Sequence, residues 1–339
     1  MKITWDWSLE SETHRVVDSA RQIGNGFFHL QHFLALPWSK DTKYLHSGVY
    51  LPSLNYRAIP GFWTKSSKLT TGCYPLDIPT ELAQPIKSEL SNLHLISPDT
   101  TKLKELTEST LPQVIQFIRN LSPNSNLPTH LTIHPTCFGT GGSFAWNKEH
   151  NEIIIFLRSD RGIKTIVECL LTCILRKDAM DQLAATWSET EFLIDWLVES
   201  SSLSPLLPAD PSWLGTLKHT RFTPSATTLK LSHDFLIQIG ATLDSQHSFT
   251  IKENVVSFNG QKLENLTTRE SAILTILISK SPVPISNDEI GNILFNSDEK
   301  FSLSAITKTI ERLRTKLETM GISRHYLATA SGVGYYLKN

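Results

Sequence analysis

Apolar residues recur at steps of three and four along residues 302–320, near the end of the 339-residue chain. The repeating positions are Leu303, Ile306, Ile310, Leu313 and Leu317. This spacing predicts a helix with one buried face, and Gly321 is a signal for its end. Two short stretches with strand character, 326–330 and 334–337, follow around a glycine-rich turn. A helix followed by such a hairpin predicts a winged helix.

The residues before this helix predict a small antiparallel sheet and then two more helices. Alternating apolar positions indicate strands within 229–239 and 249–258, and the Asn-Gly pair at 259–260 is typical of a two-residue hairpin turn. Periodic apolar positions then predict helices over 268–279 and 286–295.

The N-terminal part of the chain combines helical and strand patterns. Residues 37–100 are rich in Pro, Gly, Ser and aromatic residues and predict irregular structure with short strands. The predicted helices there are 11–23, 102–121, 163–175 and 186–198, and the predicted strands are 131–134 and 152–157. Taken together, the patterns predict an α+β protein. It has a mixed α/β N-terminal domain and a C-terminal winged helix-turn-helix with a preceding small antiparallel sheet.

A stretch dense in Pro and Ser divides these two regions and has the composition of a linker. We therefore predict an N-terminal domain over 1–203, a linker over 204–228 and a C-terminal domain over 229–339. The length of the chain suits two or three domains.

Composition places the chain among folded proteins with mixed charges, since 40% of its residues are apolar and its net charge is −1. The positive charge is local. Residues 302–339 contain six Lys and Arg against two Glu, a net charge of +4 that can attract phosphate groups. The N-terminus shows no signal-peptide pattern, and no apolar run approaches the ~20 residues of a membrane span. Four cysteines without a Cys-x-x-Cys motif favour the reducing cytoplasm, so we expect a cytoplasmic protein that does not enter membranes.

Several motifs resemble the OmpR/PhoB-type winged-helix DNA-binding domain. In chain order they are Leu266-Thr-Thr-Arg-Glu270, Pro284-Ile-Ser-Asn-Asp-Glu-Ile290, Ile310-Glu-Arg-Leu-Arg-Thr-Lys-Leu317 and Thr329-Ala-Ser-Gly-Val-Gly-Tyr335. In the first motif, Thr267 or Thr268 is the predicted N-cap of the following helix. The resemblance covers roughly 234–339. It departs at Ser331, where the family's wing has an arginine that reaches toward the minor groove.

The resemblance implies binding of double-stranded DNA, with the helix predicted within 302–320 in the major groove. The predicted DNA-binding residues are Ser304, Thr307, Lys308, Glu311, Arg312, Arg314, Lys316, Ser331 and Tyr335. Lys308 and Arg312 are the best candidates for guanine edges or phosphates. We expect Arg314 and Lys316 to contact the DNA backbone or to pair with acidic residues of the same domain. Without the wing arginine, two outcomes stay open: the wing contacts DNA through Ser331 and backbone N–H groups, or the domain binds protein.

A weaker resemblance concerns residues 131–198. Strand, glycine turn, strand and a helix with the letters Val-Glu-Cys-Leu-Leu are similar to the core of a small zincin metallopeptidase. Glu168 matches the catalytic Glu of that pattern, and a downstream Glu, as in Trp187-Ser-Glu-Thr-Glu191, could resemble a third zinc ligand. Val167 and Leu171 stand where the two zinc-binding His would be, so zinc would lack its main ligands. This resemblance implies an inactive scaffold, and we predict no catalytic residues, no metal and no cofactor.

These patterns together predict a bacterial-type DNA-binding transcription regulator that is not an enzyme. The N-terminal region lacks the strand–helix alternation and the acidic residues of a phospho-receiver. We therefore interpret it as a sensor, partner-binding or dimerisation module, with a homodimer, an unknown ligand and a protein partner as open alternatives. The competing hypotheses are a divergent peptidase-like hydrolase and a protein-interaction module with a repurposed winged helix.

Overall fold

The structure, a computed structural model, describes residues 1–70, 75–123, 126–183, 187–210, 213–215, 223–241, 249–253, 255–294, 302–330 and 332–338. The chain divides into two compact units. The first unit comprises residues 1–20, 32–62 and 71–239, and the second comprises residues 21–31, 63–70 and 240–339. Over the part of the chain that the structure describes, no helix combines the length and apolarity needed to cross a membrane.

Helices and strands are interspersed along the chain, often in runs of two or three of the same kind. Within the described residues the helices are α1 (Leu9–Gly24), α2 (Phe27–Leu30), α3 (Phe62–Ser67), α4 (Thr80–Asn92), α5 (Thr101–Leu121), α6 (Ile163–Leu183), α7 (Trp187–Ser200), α8 (Ala226–Gln238), α9 (Thr268–Lys280), α10 (Asn287–Leu294) and α11 (Leu303–Thr319). The strands are β1 (Lys2–Trp5), β2 (Leu34–Pro37), β3 (Gly48–Leu51), β4 (His130–Thr136), β5 (Gly142–Asn147), β6 (Glu152–Arg158), β7 (Phe249–Lys252), β8 (Val255–Phe258), β9 (Gln261–Lys262), β10 (Ile285–Ser286), β11 (Leu327–Ala330) and β12 (Gly334–Leu337). The α+β class is confirmed.

A mixed sheet in the order β1-β4-β6-β5 organises the first unit. Strands β1, β4 and β6 are parallel, and β5 is an antiparallel edge strand. The run from Ile153 to Leu157 in β6 is buried throughout, as expected for a parallel strand that is covered on both faces. Helices α5, α6 and α7 contribute the side chains that pack in the same core, among them Val114, Ile166 and Val198.

Helix α1 is unusual because every residue from Ser11 to Ala20 is buried, including charged ones. The Glu12 carboxylate accepts hydrogen bonds from the Cys137 backbone N–H at 2.9 Å and from the Trp7 indole N–H at 3.1 Å. Burial raises the pKa of Glu12 to about 7, although these hydrogen bonds act in the opposite direction. A buried carboxyl group of this kind is held by specific donors and does not face solvent.

The glycine-rich turn after β4 is shaped by two buried arginines. The Arg15 guanidinium donates to the Thr140 carbonyl oxygen and hydroxyl, each at 2.8 Å. A Cβ on Gly139 would lie 2.2 Å from Arg15 Nε, and one on Gly141 would lie 2.7 Å from Arg161 Nε. The glycines are therefore explained by the close approach of arginine side chains, and the turn needs no bound phosphate to account for its composition.

The second unit contains two small sheets and the helices α9, α10 and α11. Strands β7, β8 and β9 form an antiparallel sheet, and the Asn259–Gly260 turn joins β8 to β9 as predicted. Strands β11 and β12 form the wing hairpin, and β10 pairs with β12 on its other side. The predicted winged helix with a preceding antiparallel sheet is confirmed.

The prediction of strands within 229–239 is wrong, because residues 229–238 lie in helix α8 and Ile239 is its C-cap residue. The Ser225 hydroxyl accepts the Thr228 N–H at 3.2 Å and caps the helix, while Phe235 and Ile239 are buried one turn apart. Three large apolar side chains on the exposed surface imitate a strand-like alternation: Leu229, Leu231 and Ile237.

The prediction of irregular structure over 37–100 is wrong in part, since α3 and α4 lie there. In α4 the side chains of Leu82, Ile86 and Leu90 are fully buried at a spacing of four. Pro85 lies inside this helix and obscured the pattern, because proline normally ends or kinks a helix.

The limits of the two compact units differ from the predicted domain limits. Helix α8 belongs to the first unit, whereas residues 21–31 and 63–70 belong to the second. The limits 1–203, 204–228 and 229–339 stay a prediction.

Candidate nucleic-acid interface

Helix α11 has two chemically different faces. Its N-cap is Ser302, whose hydroxyl accepts the Ala305 N–H at 3.4 Å. The predicted apolar stripe faces the core: Ile306, Ile310, Leu313 and Leu317 are fully buried, whereas Leu303 is exposed. The side chains of Ser304, Thr307, Lys308 and Arg312 are exposed. The first three turns therefore present hydroxyl groups and two cations to solvent.

An open groove of about 910 Å³ lies between the start of α9 and the first half of α11. Arg269 and Thr268 line it from α9, and Thr307, Lys308 and Arg312 line it from α11. Its acidic residues, Glu270 and Glu311, are engaged with cations outside this group. Three exposed cations therefore share one groove, which favours an anionic ligand.

Arg314 is occupied by contacts within the unit. Its Nε and Nη2 donate to the Leu327 carbonyl oxygen at 2.9 and 2.7 Å, and Nη2 also donates to the Thr329 hydroxyl at 3.0 Å. Its guanidinium lies 5.8 Å from the centre of the Tyr335 ring. Arg314 thus joins the helix to the first strand of the wing.

Glu311 is shared between two arginines. Its carboxylate accepts from Arg314 Nη1 and from Arg324 Nη2, each at 2.5 Å. Arg324 Nη1 also lies 3.5 Å from the Glu318 carboxylate. Glu311 was predicted to face DNA, and the structure places it in an ion-pair network with Arg314 and Arg324 at the lining of the groove.

Lys316 likewise bonds inside the unit, at the start of α9. Its ammonium group donates to Glu270 Oε2 at 2.6 Å and to the Asn265 carbonyl oxygen at 2.9 Å. Glu270 and the N-cap Thr267 form a capping box, so the N-cap prediction is settled in favour of Thr267. Burial by itself would raise the pKa of Glu270, but hydrogen bonds from Lys316 and Thr267 lower it below its ordinary value.

The structure describes one of the two wing residues that were predicted to bind DNA. Tyr335 is buried in the core of the unit, where its ring lies beside Arg314. Ser331 lies outside the described residues. The tip of the hairpin between them is exposed at Gly332 and Val333.

The residues that resemble a metallopeptidase site do not come together as a metal site. Val167 and Leu171 are fully buried in the core of the first unit, whereas Glu168 accepts the Trp213 indole N–H at 2.7 Å. Glu191 is buried and ion-paired with Arg176. Among the described residues, no three His, Cys, Asp or Glu side chains are arranged to hold a metal ion. The peptidase-like resemblance stays a prediction.

A family model described as the C-terminal domain of transcriptional regulatory proteins matches residues 260–337. Residues 260–337 form an OmpR/PhoB-type domain. This match covers the wing, the basic helix α11 and the groove between α9 and α11. The suspected resemblance is confirmed for the C-terminal part of the chain.

Two curated relatives of this OmpR/PhoB-type domain are longer than the stretch that matches. The chain is 36% identical over 83 residues to protein RcaC of Microchaete diplosiphon, covering 24% of this chain and 13% of that protein. It is 33% identical over 86 residues to the transcriptional regulatory protein TctD of Salmonella typhimurium strain SL1344, covering 25% of this chain and 37% of that protein. The matched residues thus span well under half the length of these curated relatives.

Among solved structures, the DNA-binding domain of the response regulator AdeR in complex with an intercistronic region is similar in sequence. The identity is 29%, over 27% of this chain and 93% of that chain, with a TM-score of 0.23.

Sequence reasoning missed one candidate of the OmpR/PhoB-type domain. Arg269 is exposed in the first turn of α9 and lines the same groove as Lys308 and Arg312. It lies inside the Leu266-Thr-Thr-Arg-Glu270 motif, but its distance of about 40 positions from Lys308 in sequence gave no sign that the two would meet. Only the packing of α9 against α11 brings them together.

Proposed function

We propose that this chain is a transcription regulator that binds specific double-stranded DNA sequences through its OmpR/PhoB-type domain. The cluster of exposed cations Arg269, Lys308 and Arg312 around one groove supports this proposal most directly. A B-DNA major groove accepts a helix, and exposed Arg and Lys side chains donate to guanine O6 and N7 or to phosphates. The hydroxyl groups of Ser304 and Thr307 add donors and acceptors on the same face.

The two ends of the groove have different roles in this proposal. Lys308 and Arg312 on α11 read base edges or hold phosphates, and Arg269 at the start of α9 holds a phosphate of the backbone. The N-terminus of α9 favours an anion there, because its first N–H groups carry partial positive charge. Arg314 and Lys316 hold the domain together instead of contacting DNA.

The wing contributes through its backbone. Ser331 replaces the family's wing arginine, so the wing contacts DNA through Ser331 and the N–H groups of its tip. Tyr335 packs in the core and supports the wing strand, and Glu311 holds Arg314 and Arg324 in place.

The N-terminal part of the chain regulates this DNA binding without a phospho-receiver. We propose that it is a sensor, partner-binding or dimerisation module, and that the protein acts in the cytoplasm. A homodimer would place two recognition helices on one site, as in many helix-turn-helix regulators. The alternative of a peptidase-like hydrolase would require stoichiometric zinc in the purified protein.

Salt titration of DNA binding tests the proposal. Duplexes that bind the full-length chain are selected from random DNA, and Kd is measured against salt concentration. The variant Lys308→Ala plus Arg312→Ala should weaken binding by about 1–3 kcal/mol for each lost contact. For each of these cations that contacts a phosphate, the slope of log Kd against log salt should fall by about 0.9.

A matched control removes the same charge from another surface of the unit. Lys252 and Lys262 are exposed on the small antiparallel sheet, so Lys252→Ala plus Lys262→Ala should leave affinity and salt slope near those of the unmodified protein. Failure to bind any duplex at low salt contradicts the proposal. Equal losses in the two double variants would show that the groove has no special part in binding.

A further inference from the structure

The second unit contains two segments that lie far from the winged helix in sequence. Residues 21–31 and 63–70 belong to this unit together with residues 240–339. We call these two segments the brace. They pack against the C-terminal end of α11 and against the short 3-10 helix Arg324–Tyr326 that links α11 to the wing.

The first contact is a backbone hydrogen bond. The Ser323 N–H donates to the Asn25 carbonyl oxygen at 2.9 Å, and the Ser323 hydroxyl accepts the His325 N–H at 3.4 Å. The Phe27 ring lies 5.2 Å from the His325 ring. The turn of the brace is itself fixed, because the Asn25 side-chain oxygen accepts the Phe27 N–H at 3.0 Å.

The second contact closes the aromatic core of the unit. Tyr326 is buried, and its ring packs edge-on against Phe249 and Phe258 at 5.6 and 5.2 Å. Gly26 has φ +80°, and a Cβ there would lie 2.5 Å from the Tyr326 hydroxyl oxygen. Only glycine lets the backbone of the brace approach this ring so closely.

The third contact lies at the end of α11. Gly321 has φ +79°, and a Cβ there would lie 2.6 Å from the Ser67 hydroxyl oxygen. A Cβ on Gly24 would also lie 3.1 Å from Ser67 Cβ. Gly24 of the brace and Gly321 after α11 therefore both approach Ser67 closely.

We propose that the brace is the internal partner of the DNA-binding unit and holds the base of α11, so that it sets DNA affinity. This inference rests on the proposed function. The brace touches residues 321–326, whereas Lys308 and Arg312 lie in the first three turns of α11 and Arg269 lies in the first turn of α9. It therefore supports the helix without covering the surface offered to DNA.

The brace is covalently continuous with the first unit, and this continuity has a regulatory consequence. Both brace segments continue directly into residues of the first unit at each of their ends. A ligand or partner that shifts those residues changes how the brace holds residues 321–326. Undocking leaves the DNA-contacting charges in place but lowers the fraction of molecules with an ordered α11, so apparent affinity falls by that fraction.

The test uses Gly26→Ala in the full-length chain. The added methyl group meets the Tyr326 hydroxyl, so we expect faster amide hydrogen exchange over residues 317–327. We also expect DNA affinity to fall by about tenfold with an unchanged salt slope, because order is lost and no phosphate contact is removed. Loss of a phosphate contact would instead lower the slope by about 0.9.

Two matched variants separate the brace from general backbone strain. Gly260 has φ +73° and nothing within 4 Å of its Cβ position, so Gly260→Ala introduces similar strain without a clash. It should leave exchange over 317–327 and DNA affinity unchanged. The Tyr326 hydroxyl has no hydrogen-bond partner among the described residues, so Tyr326→Phe is tolerated and should partly restore Gly26→Ala.

The outcomes distinguish the brace from the proposed function. The brace proposal is overturned if Gly26→Ala leaves both amide exchange over residues 317–327 and DNA affinity unchanged. It is also overturned if Gly260→Ala changes them as much as Gly26→Ala does. If the unmodified protein binds no DNA, the proposed function fails, while hydrogen exchange still reports whether the brace holds residues 317–327. If Gly26→Ala does not fold, Phe27→Ala removes the ring contact with His325 and serves as the second variant.

Discussion

Positively charged side chains lie in opposite environments in the two units. In the first unit, Arg15 and Arg158 are completely buried and donate to backbone carbonyl oxygens and to Asp160 or Thr140. In the second unit, Lys308 and Arg312 are exposed, and neither forms an ion pair within the described residues. A buried cation that is removed leaves its buried partners unpaired, whereas an exposed cation without an ion-pair partner can meet a ligand.

The same contrast recurs within helix α11. Arg314 and Lys316 differ from Lys308 and Arg312 only in position, yet they are engaged by Leu327, Glu270 and other groups of the unit. Charge counted along the sequence therefore overstates the charge that DNA would meet. Four substitutions test how charged groups engaged inside a unit differ from exposed ones, beginning with the largest expected effect.

Arg158→Met should destabilise the protein most. The guanidinium donates to the carbonyl oxygens of Gly48 and Leu45 at 2.9 and 3.3 Å and to both carboxylate oxygens of Asp160. Its loss leaves these acceptors unpaired, at a cost of about 3–5 kcal/mol in the free energy of unfolding. Chemical denaturation measures this change, and the exposed Arg119→Met should stay within about 0.5 kcal/mol of the unmodified protein.

Glu12→Gln should stabilise the protein in a pH-dependent manner. Burial raises the folded pKa of Glu12 from 4.5 to about 7, so the folded state binds its proton more tightly than the unfolded state. The contribution of Glu12 to the free energy of unfolding is therefore fully present below pH 4.5, and it is lost as the pH rises through about 7. The variant should therefore gain up to about 3 kcal/mol at pH 8 and nothing at pH 4. Denaturation at both pH values checks this, and a gain that is equal at pH 4 and pH 8 contradicts it.

Arg314→Ala should weaken the wing without removing a phosphate contact. The lost hydrogen bonds to Leu327, Thr329 and Glu311 should cost about 1–3 kcal/mol of stability in the second unit. Its DNA affinity should fall with an unchanged salt slope. A slope lowered by about 0.9 would instead place Arg314 on a phosphate.

Glu270→Gln should have the smallest effect and lower the free energy of unfolding by about 1 kcal/mol at pH 7. Glutamine retains the capping hydrogen bond but lacks the charge that pairs with Lys316. The folded pKa of Glu270 is lowered, so its contribution is present above its unfolded pKa and is lost as pH falls through the folded pKa. The difference between variant and unmodified protein should therefore disappear in acid. Denaturation of Glu264→Gln, which changes an exposed residue, provides the control.

Local patterns were sufficient for most of the second unit. The period of the apolar stripe placed α11, and the Asn-Gly pair placed the turn between β8 and β9. The same reasoning failed for α8, because Leu229, Leu231 and Ile237 are apolar but exposed. It also failed for α4, where Pro85 lies inside the helix and only tertiary packing of Leu82 and Ile86 compensates for it.

The winged helix and its basic helix can be read from the amino-acid sequence alone, since they follow from the spacing of apolar residues and from motifs a few residues long. Tertiary packing was needed to show which charges are exposed, that Arg269 joins Lys308 and Arg312, and that residues 21–31 pack on Tyr326. The physical reason is distance along the chain. Periodicity reports which side of an element is buried, whereas the partner of a charge or of a glycine lies tens to hundreds of residues away and is chosen by packing.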